Sequence, residues 1–329
     1  MALVINDTQY AGTFASYFWL PATFSMDTIQ KGIVHVQDGI KKKHTIGRVD
    51  FADPLQPRMA TPSSSGTFTV DGRTLYPADM MCYTEFNPRD YEQHWLAEQL
   101  SPTLLARELP ITAENYMMQI ALNRTFESIE GGLWMGSTDY AGAYPLGTPQ
   151  YQWQFFDGFL KKMVNDVNVL RPTTQDPITT SNIADAFDSL LGQIATNKKA
   201  LLSRPTRYER LKFLVSINTE QIYHTFITTS LTFKGVNTTD RGINLYKGYE
   251  VVPVAGMPDD TIVFCEATND VTSNLYVGMN SMEDNNLQLM RLQNNSELFF
   301  FKGLMKYDTQ YGFSEQVALY TTLVAGDFE

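Results

Sequence analysis

The chain has 329 residues, of which 43% are hydrophobic and 19% are charged, so it can bury a sizeable core as one large domain or two and is not a disordered chain. Its formal net charge of −11 at pH 7 disfavours general binding to nucleic acid, because an acidic surface repels phosphate groups. Two distant cysteines and four dispersed histidines argue against a disulfide framework and a structural zinc site. The N-terminal sequence lacks the pattern of a signal peptide, and no segment is apolar over the length of a membrane span.

Residues 1–30 are predicted to form an irregular arm. Four aromatic residues lie close together in it without helical or strand periodicity: Phe14, Tyr17, Phe18 and Trp19. Exposed aromatic side chains in an irregular segment are unfavourable unless they dock on a surface. We therefore expect this arm to pack either on its own chain or on a neighbouring one.

Residues 31–86 are predicted to form a long hairpin-like excursion. Residues 33–36 and 67–70 have strand composition, and the turn dipeptides Asp38-Gly39 and Asp71-Gly72 are expected to end these strands. The segment has little apolar content, and an isolated two-stranded ribbon is marginally stable in water, so it is expected to lie against another surface. It holds the one basic run, Lys41-Lys42-Lys43-His44, which fits either a solvated turn or an electrostatic contact to an acidic neighbour.

Helices are predicted in the first two thirds of the chain. Residues 87–107 follow a capping Asn-Pro pair, and residues 111–130 carry an apolar stripe that Thr112 is expected to cap and Gly131-Gly132 to end. Residues 181–197 form a second amphipathic stretch. A strand over 211–215 and a third helix capped by Asn218 follow.

After residue 243 the sequence predicts mainly strands. Residues 249–252 and 261–264 are joined by a turn at 257–260, and further strands are expected in three segments: 275–277, 298–301 and 316–321. Phe299-Phe300-Phe301 is predicted to be covered on both faces, and Cys265 to be a small buried hydrophobe. The fold class is therefore α+β.

The sequence holds no motif of a known catalytic or nucleotide-binding site, neither a P-loop nor a dinucleotide loop, nucleophile elbow or HExxH helix. Asp259-Asp260 and Glu283-Asp284 lie in turn contexts, where capping or solvated roles are favoured over a cation site. We predict no catalytic residue, no metal and no cofactor, while an enzyme whose site forms no motif stays an alternative.

Three segments, in this order, resemble the Hong Kong 97-type major capsid protein of tailed bacteriophages. Residues 123–136, NRTFESIEGGLWMG, resemble the end of that family's spine helix. Residues 246–266, YKGYEVVPVAGMPDDTIVFCE, resemble a segment of its axial domain. Residues 299–321, FFFKGLMKYDTQYGFSEQVALYT, resemble the closing strands of its peripheral domain. Each motif is weakly specific by itself, and the resemblance lies in their order and spacing over essentially the whole chain.

The resemblance implies an N-terminal arm (1–30), an extended loop (31–86), a peripheral domain (87–164 and 271–329) with the spine helix at 111–130, and an axial domain (165–270). It implies a non-enzymatic subunit that assembles as pentamers and hexamers into an icosahedral shell around double-stranded DNA, in the virion and, during assembly, in the host bacterial cytoplasm. Expected partners are the chain itself, a portal protein and a decoration protein, and no membrane. Contacts between subunits are expected at Phe14, Tyr17, Phe18, Trp19, Lys41, Lys42, Lys43 and Phe68.

Two departures from the family pattern affect these expectations. Many relatives carry a helical scaffolding segment ahead of the arm, whereas Met1 here lies almost inside the arm, so we expect a separate scaffold or none. Some relatives cross-link a loop lysine to an asparagine of a neighbour; Asn294 and Asn295 are conceivable partners for the lysine run, but no motif matches and non-covalent assembly is expected. Encapsulin nanocompartments share the fold and are the near alternative.

Overall fold

A computed structural model provides the structure of the chain. It describes residues 8–11, 26–51, 55–61, 68–87, 111–140, 153–229, 244–280, 286–292 and 298–329. The predicted helix over 87–107 lies almost entirely outside these residues, as does the aromatic cluster of the arm.

The first sheet gathers strands from four distant parts of the chain. Its strand order is β1-β11-β12-β10-β2, and β5 pairs with β12. All pairings are antiparallel except the parallel pair β10 and β2. The strands are β1 (Thr8–Ala11), β2 (His35–Gln37), β5 (Ala78–Phe86), β10 (Leu275–Met279), β11 (Asn286–Arg291) and β12 (Phe299–Tyr311).

One long helix, α2 (Ile111–Met135), covers one face of this sheet. A four-residue helix, α1 (Asp27–Gln30), precedes it, and α3 (Phe159–Asn165) packs beside it. The buried stripe of α2 forms the first core together with α3 and the inward side chains of β12. Its buried members are Leu122, Phe126, Ile129, Leu133 and Trp134.

Helix α2 differs from its predicted bounds at both ends. It begins at Ile111, so Thr112 lies inside the first turn and does not cap it. It also continues through Gly131-Gly132, because these glycines allow the helix to approach Trp153 and Phe156 closely without breaking its hydrogen-bond ladder. A Cβ on Gly131 would lie 2.6 Å from the Trp153 ring. Close packing therefore explains the glycine pair that the sequence marked as a helix end.

The second sheet has the order β13-β9-β6-β8-β7 and carries the predicted strands near 211, 249, 261 and 318. In it β6 lies between β8, which is parallel, and β9, which is antiparallel. The strands are β6 (Leu211–Ser216), β7 (Leu245–Tyr246), β8 (Tyr249–Val254), β9 (Thr261–Glu266) and β13 (Ala318–Thr321). Short 3-10 turns at Ser314–Gln316 and Ala325–Phe328 flank β13.

Helices cover one face of the second sheet, and its other face joins the first core. The predicted helix over 181–197 is confirmed as α4 (Ile183–Asn197), and α7 (Ile217–Thr229) lies beside it. Phe187 of α4 sits at the centre of this second core, with its ring 4.7 Å from that of Phe213. Two short helices, α5 (Lys199–Leu202) and α6 (Arg207–Arg210), connect α4 to β6. The predicted burial of Cys265 is confirmed, and it belongs to the face that joins the first core.

Asn218 does not cap α7, contrary to the prediction. The helix already begins at Ile217, and the Asn218 amide donates hydrogen bonds to both carboxylate oxygens of Asp259, at 2.9 Å each. The Ser216 hydroxyl instead accepts the Thr219 backbone N–H at 3.1 Å. Asp259 thereby fixes the turn at 257–260 against the start of α7.

Strands β3 (His44–Phe51) and β4 (Phe68–Leu75) form a separate two-stranded ribbon. Asp71-Gly72 does not end β4, because Gly72 pairs directly with Gly47 and the ladder continues to Leu75 opposite His44. A hairpin is thus present, but its first strand differs from the prediction. The predicted strand at 33–36 corresponds to β2, which pairs with β10 in the first sheet, and the partner of β4 is β3. The strand before the ribbon, β2, and the strand after it, β5, both belong to the first sheet, so the chain is tied to that sheet where it enters and where it leaves the ribbon.

Candidate inter-subunit surfaces

The described part of the structure includes four of the eight residues predicted to contact other subunits. Lys41, Lys42 and Lys43 lie exposed between β2 and β3, at the base of the ribbon. Phe68 is the first residue of β4 and pairs with Phe51 at the far end of the described ladder. Phe14, Tyr17, Phe18 and Trp19 lie outside the described residues. The lysine run and Phe68 therefore mark opposite ends of one ribbon.

Away from its base, the side chains that the structure describes on the ribbon are mostly exposed. His44, Thr45 and Gly47 of β3 are exposed, and burial on β4 increases only toward its base, where Leu75 is buried completely. A hairpin of this kind is marginally stable when both of its faces meet water. The ribbon is therefore stable only if it is supported at its base or lies along a surface supplied by another molecule.

The segment at the far end, residues 55–61 (the tip), carries exposed apolar side chains. Leu55 is 86% exposed and Met59 is 55% exposed, and the cationic Arg58 lies between them, also exposed. Prolines at 57 and 62 restrict the backbone around them. Large apolar side chains gathered on a projecting segment are typical of an association site.

Arg73, Asp166 and Tyr311 (the anchor) hold the base of the ribbon. Arg73 of β4 donates to the Asp166 carboxylate at 2.5 Å, and its guanidinium lies 4.2 Å from the ring centroid of Tyr311 on β12. The Tyr311 hydroxyl donates to the same carboxylate at 2.8 Å. Burial by itself would raise the pKa of Asp166, but the hydrogen bonds from Arg73, Asn168 and Tyr311 hold that pKa below its ordinary value.

A second carboxylate fixes the chain where it leaves the ribbon. The Tyr76 backbone N–H donates to Asp308 at 2.7 Å, and Lys162 of α3 donates to the same carboxylate at 2.9 Å. Burial raises the pKa of Asp308 despite these donors. Two buried or half-buried carboxylates therefore set the direction in which the ribbon leaves the body.

Among the described residues, the face of the first sheet opposite α2 is largely exposed. Side chains on β12 alternate between buried and half-buried, because only one face has a helix over it. The prediction that residues 299–301 are covered on both faces is therefore wrong for the single chain. On this open sheet face Tyr83 stacks on Phe300, with ring centroids 5.9 Å apart, beside Met81 and Leu304. Met81 is 55% exposed and Tyr83 is 45% exposed.

A groove of about 690 Å³ lies between α2, the segment before α1 and the turn after β8. Its apolar floor is formed by Met26, Phe126 and Met257, which are almost completely buried. The described residues that line this spine groove include three carboxylates and no cationic side chain. The lining residues are Met26, Asp27, Asn123, Phe126, Glu127, Glu130, Gly131, Met135, Trp153, Ala255, Gly256, Met257 and Pro258.

Glu130 is the buried carboxylate of the spine groove. It accepts the Thr28 backbone N–H at 3.2 Å and the Thr28 hydroxyl, and the indole of Trp134 donates to that hydroxyl at 2.9 Å. Burial raises the pKa of Glu130, although the hydrogen bonds from Thr28 oppose this shift. These contacts fix the end of the arm region to the C-terminal part of the long helix.

The described part of the chain shows no cluster of His, Cys, Asp or Glu side chains that could hold a metal ion. Within the same residues no helix has the length and apolarity needed to cross a bilayer. Burial raises the pKa of the Cys265 thiol far from the range of a reactive cysteine.

The sequence did not reveal the anchor, the tip or the spine groove. Arg73 follows the Asp71-Gly72 signal that was taken as the end of a strand, and its partner lies 93 residues away. The exposed Leu55 and Met59 stand in a proline-rich stretch whose single apolar residues show no periodicity. The available signal was their occurrence in a segment too polar to form its own core.

By sequence, the chain matches no protein-family model and no curated protein. By structure, it is similar to the capsid of a native GTA particle, with a TM-score of 0.57, 12% identity, and 90% of this chain and 89% of that one covered. It is also similar to the procapsid of satellite phage P4 (TM-score 0.56, 10% identity, 93% and 98% covered) and to the capsid of Myoviridae phage XM1 (0.55, 10%, 90% and 92%). The chain therefore has the Hong Kong 97-type capsid fold, and the predicted fold and resemblance are confirmed.

Proposed function

We propose that this chain is the major capsid protein of a tailed bacteriophage, which assembles as pentamers and hexamers into an icosahedral shell that encloses phage DNA. The observation that carries the proposal is the ribbon of β3 and β4, which is anchored at its base and exposed at His44, Thr45, Gly47 and Gly72. A self-contained enzyme gains nothing from such an element, whereas a shell subunit needs a segment that reaches onto its neighbour. The capsid fold supports this interpretation.

We assign the parts of the subunit as the sequence predicted them. Residues 1–30 are the arm, 31–86 the extended loop, 87–164 and 271–329 the peripheral domain, and 165–270 the axial domain. In a closed ring each subunit presents one surface to the next and a different surface to the previous one, so a projecting ribbon and a receiving surface recur around the ring. Obligate interfaces of this kind bury about 2,000–5,000 Å².

The charge of the chain fits an inner wall around DNA. A subunit with a net charge of −11 repels phosphate, so packaged DNA can move during filling and release without binding the wall. We infer that the shell takes its further partners from separate proteins, namely a portal, a scaffold and a decoration protein. Assembly takes place in the bacterial cytoplasm and the product is the virion capsid.

Expression of the full chain, followed by negative-stain electron microscopy and sedimentation velocity, tests the proposal. We expect closed shells or rings of five and six. A matched variant replaces residues 48–71 by Asn-Gly, which joins the paired Gly47 and Gly72 through a two-residue hairpin turn and keeps Arg73. This variant is expected to fold as a monomer that forms no shells.

Two outcomes would contradict the proposal. One is a parent chain that stays monomeric at high concentration and with its own genome's scaffold candidate present. The other is normal shells from the shortened variant, which would remove the ribbon from assembly. Particles from the native source that hold protein cargo and no nuclease-protected DNA would instead identify a nanocompartment shell.

A further inference from the structure

We propose that a cationic surface around Tyr208 on one subunit binds an acidic corner, at the turn before β9, on a second copy of this chain. The inference rests on the proposed function and adds to it one contact between neighbours in the same ring. It follows from three observations on the described residues: the charges of the two surfaces, the rigidity of each, and their separation within the single chain.

The cations of this acidic chain are concentrated in one short segment. Six of its 25 lysines and arginines lie in residues 198–212, which contain a single carboxylate. Three of the six form ion pairs within their own chain, namely Lys198 with Glu315, Arg204 with Glu266 and Lys212 with Glu250. Within the described residues no carboxylate pairs with the other three cations. The cationic surface consists of these three and the tyrosine between them: Lys199, Arg207, Tyr208 and Arg210.

Tyr208 presents an exposed and firmly held aromatic ring on this surface. The residue is 45% exposed. The Arg207 guanidinium lies 4.5 Å from the ring centroid and donates to the Tyr208 hydroxyl at 3.1 Å and to the Leu202 carbonyl at 2.9 Å. Gly248 lies directly against the ring, since a Cβ on it would be 2.8 Å away. Exposed tyrosine and arginine side chains that are fixed before binding are typical of the residues that dominate protein interfaces.

Three aspartates gather at the other end of the second sheet. Asp259 and Asp260 form the turn before β9, and the Asp260 carboxylate accepts the Ile178 backbone N–H at 2.7 Å, which brings Asp176 to the same turn. The Tyr320 hydroxyl holds the backbone N–H and the carbonyl of Asp176, both at 2.9 Å. Among the residues that the structure describes, no cation pairs with these three carboxylates. They form the acidic corner, whose charge is available to a partner.

The corner also offers apolar groups to an aromatic ring. Ile217 is 46% exposed and precedes Asn218, whose amide donates to Asp259 at 2.9 Å. Pro177 is exposed beside Asp176. A tyrosine ring can pack on these apolar groups while lysine and arginine pair with the carboxylates around them. The two surfaces are therefore complementary in charge and in apolar character.

The two surfaces cannot meet within one chain. Strand β6 begins next to Arg210 and ends at Ser216, whose hydroxyl donates to Asp259 at 3.4 Å. A strand of six residues spans about 17–20 Å, so the sheet holds the two surfaces apart at its opposite ends. Contact between them requires a second copy. Each copy then gives a cationic surface and receives one at its acidic corner, which is the arrangement of a closed ring.

The other acidic groups of the chain are less suitable partners. Asp188 already pairs with Lys247. In the spine groove, the carboxylates of Asp27, Glu127 and Glu130 each accept a donor from their own chain. Charge and availability together select the acidic corner.

Charge reversal on each surface tests the pairing. Arg210→Glu and Asp176→Lys are each expected to raise the protein concentration needed for assembly roughly tenfold, and a chain with both changes should assemble at a lower concentration than either single variant. Neither side chain has a partner within the described part of its own chain, so the urea midpoint of the monomer should not change. Light scattering against concentration measures assembly.

Asp185→Lys is the matched control, because Asp185 is an exposed carboxylate near β7, at the opposite edge of the same sheet from β13 and the acidic corner. It should assemble as the parent does. A combined variant that assembles no better than the single variants overturns the inference. A loss confined to Arg210→Glu also overturns it, and would assign the cationic surface to an anionic partner of another class, such as nucleic acid. Failure of the parent to form any particle would instead remove the proposed function, so the two failures are distinguishable.

Disulfide trapping in assembled particles tests the head-to-tail order. Oxidation of shells made from an Arg210→Cys, Asp176→Cys chain should link neighbours into a ladder that ends at five or six subunits on a non-reducing gel. The parent chain and an Arg210→Cys, Asp185→Cys chain are the controls and should give no ladder. Test shells that give no ladder, or the same ladder as the control pair, contradict the proposed contact.

Discussion

Arg73 and Asp166 form an ion pair of 2.5 Å between the base of the ribbon and the residue that follows α3. The Asp166 carboxylate also accepts the Tyr311 hydroxyl, and the Arg73 guanidinium lies over the Tyr311 ring. One carboxylate and one aromatic ring thus hold a single arginine through its charge, its donors and its flat face. Lysine would reproduce only the charge.

Arg73→Ala is expected to lower the free energy of unfolding by about 1–3 kcal/mol, because it leaves a half-buried carboxylate without its cation. The loss should be concentrated in the ribbon, so amide hydrogens of β3 and β4 should exchange faster while those of β6 do not change. Urea unfolding and hydrogen exchange of the monomer measure both effects. Arg73→Lys is expected to fall between the parent and the alanine variant.

Arg124→Ala is the matched control for this change. Arg124 also forms an ion pair, but with both partners largely exposed it should change stability by no more than about 0.5 kcal/mol. Equal effects of the two alanine variants, or uniform exchange of the whole chain, would show that the anchor does not act on the ribbon.

Substitution by alanine at two helical glycines should change the stability of the chain in opposite directions. Gly192 of α4 has open space around it, so Gly192→Ala is expected to stabilise the chain by about 0.5–1 kcal/mol through helix propensity. A Cβ on Gly131 would meet the indole of Trp153 at 2.6 Å, and that indole is held by its hydrogen bond to the Ser128 carbonyl. Gly131→Ala is therefore expected to destabilise by about 1–3 kcal/mol despite the same propensity gain.

Thermal or urea unfolding of the two glycine variants checks the signs. If Gly131→Ala were as stabilising as Gly192→Ala, Trp153 would not be held against the helix. The continuation of α2 beyond residue 130 would then need another cause.

The pH dependence of stability should change when Glu130 is replaced by glutamine. Burial raises the pKa of Glu130, so the folded chain binds its proton more tightly than the unfolded chain. Such a group stabilises most below the ordinary glutamate pKa of about 4.3, and this contribution is lost as the pH rises through the raised value. The stability of the parent relative to Glu130→Gln should therefore fall with increasing pH in that window.

Urea unfolding of the parent and the Glu130→Gln variant over a pH series measures this difference in stability. The contributions of the other titrating groups are largely the same in both chains and cancel. Asp27 and Lys31 are the charged neighbours of Glu130, and both remain in the variant. Glu127→Gln changes an exposed carboxyl on the same helix and is the matched control. A difference that is constant with pH, or that grows as the pH rises, would contradict the assignment.

Local sequence patterns predicted the helices and strands that a regular spacing of apolar residues specifies by itself. The stripe of α4 and the apolar runs of β6, β8 and β9 bury side chains at the spacing the sequence shows. The errors arose where tertiary packing decides. Gly131 looks like a helix end but is a packing site for Trp153, and Asn218 looks like a cap but binds Asp259 from the turn before β9.

The contact surfaces were harder to predict because their residues are far apart in the chain. Single-sequence patterns predict the lysine run at 41–43 and Phe68 as candidate contacts because they are local features. The anchor joins residues 73, 166 and 311, and the spine groove joins the segments around 26, 126 and 257. No period or motif connects such positions until the fold brings them together.

The open sheet face provides the last prediction. Met81 lies on β5 opposite Leu304 and is 55% exposed, so Met81→Lys should change monomer stability by no more than about 0.5 kcal/mol. If another subunit covers this face in the shell, the buried lysine charge would be unpaired there, and assembly should require a higher protein concentration. Light scattering against concentration measures the threshold, and urea unfolding measures the monomer.

Val271→Lys is the matched control, since Val271 is 71% exposed and lies in the loop before β10, away from this face. Exposed apolar side chains that occur singly are normal on protein surfaces, whereas Met81, Tyr83, Phe300 and Leu304 lie on the same sheet face. An unchanged assembly threshold for Met81→Lys would place this patch on a free surface of the shell. A higher threshold for Met81→Lys alone would make the open sheet face a contact between subunits.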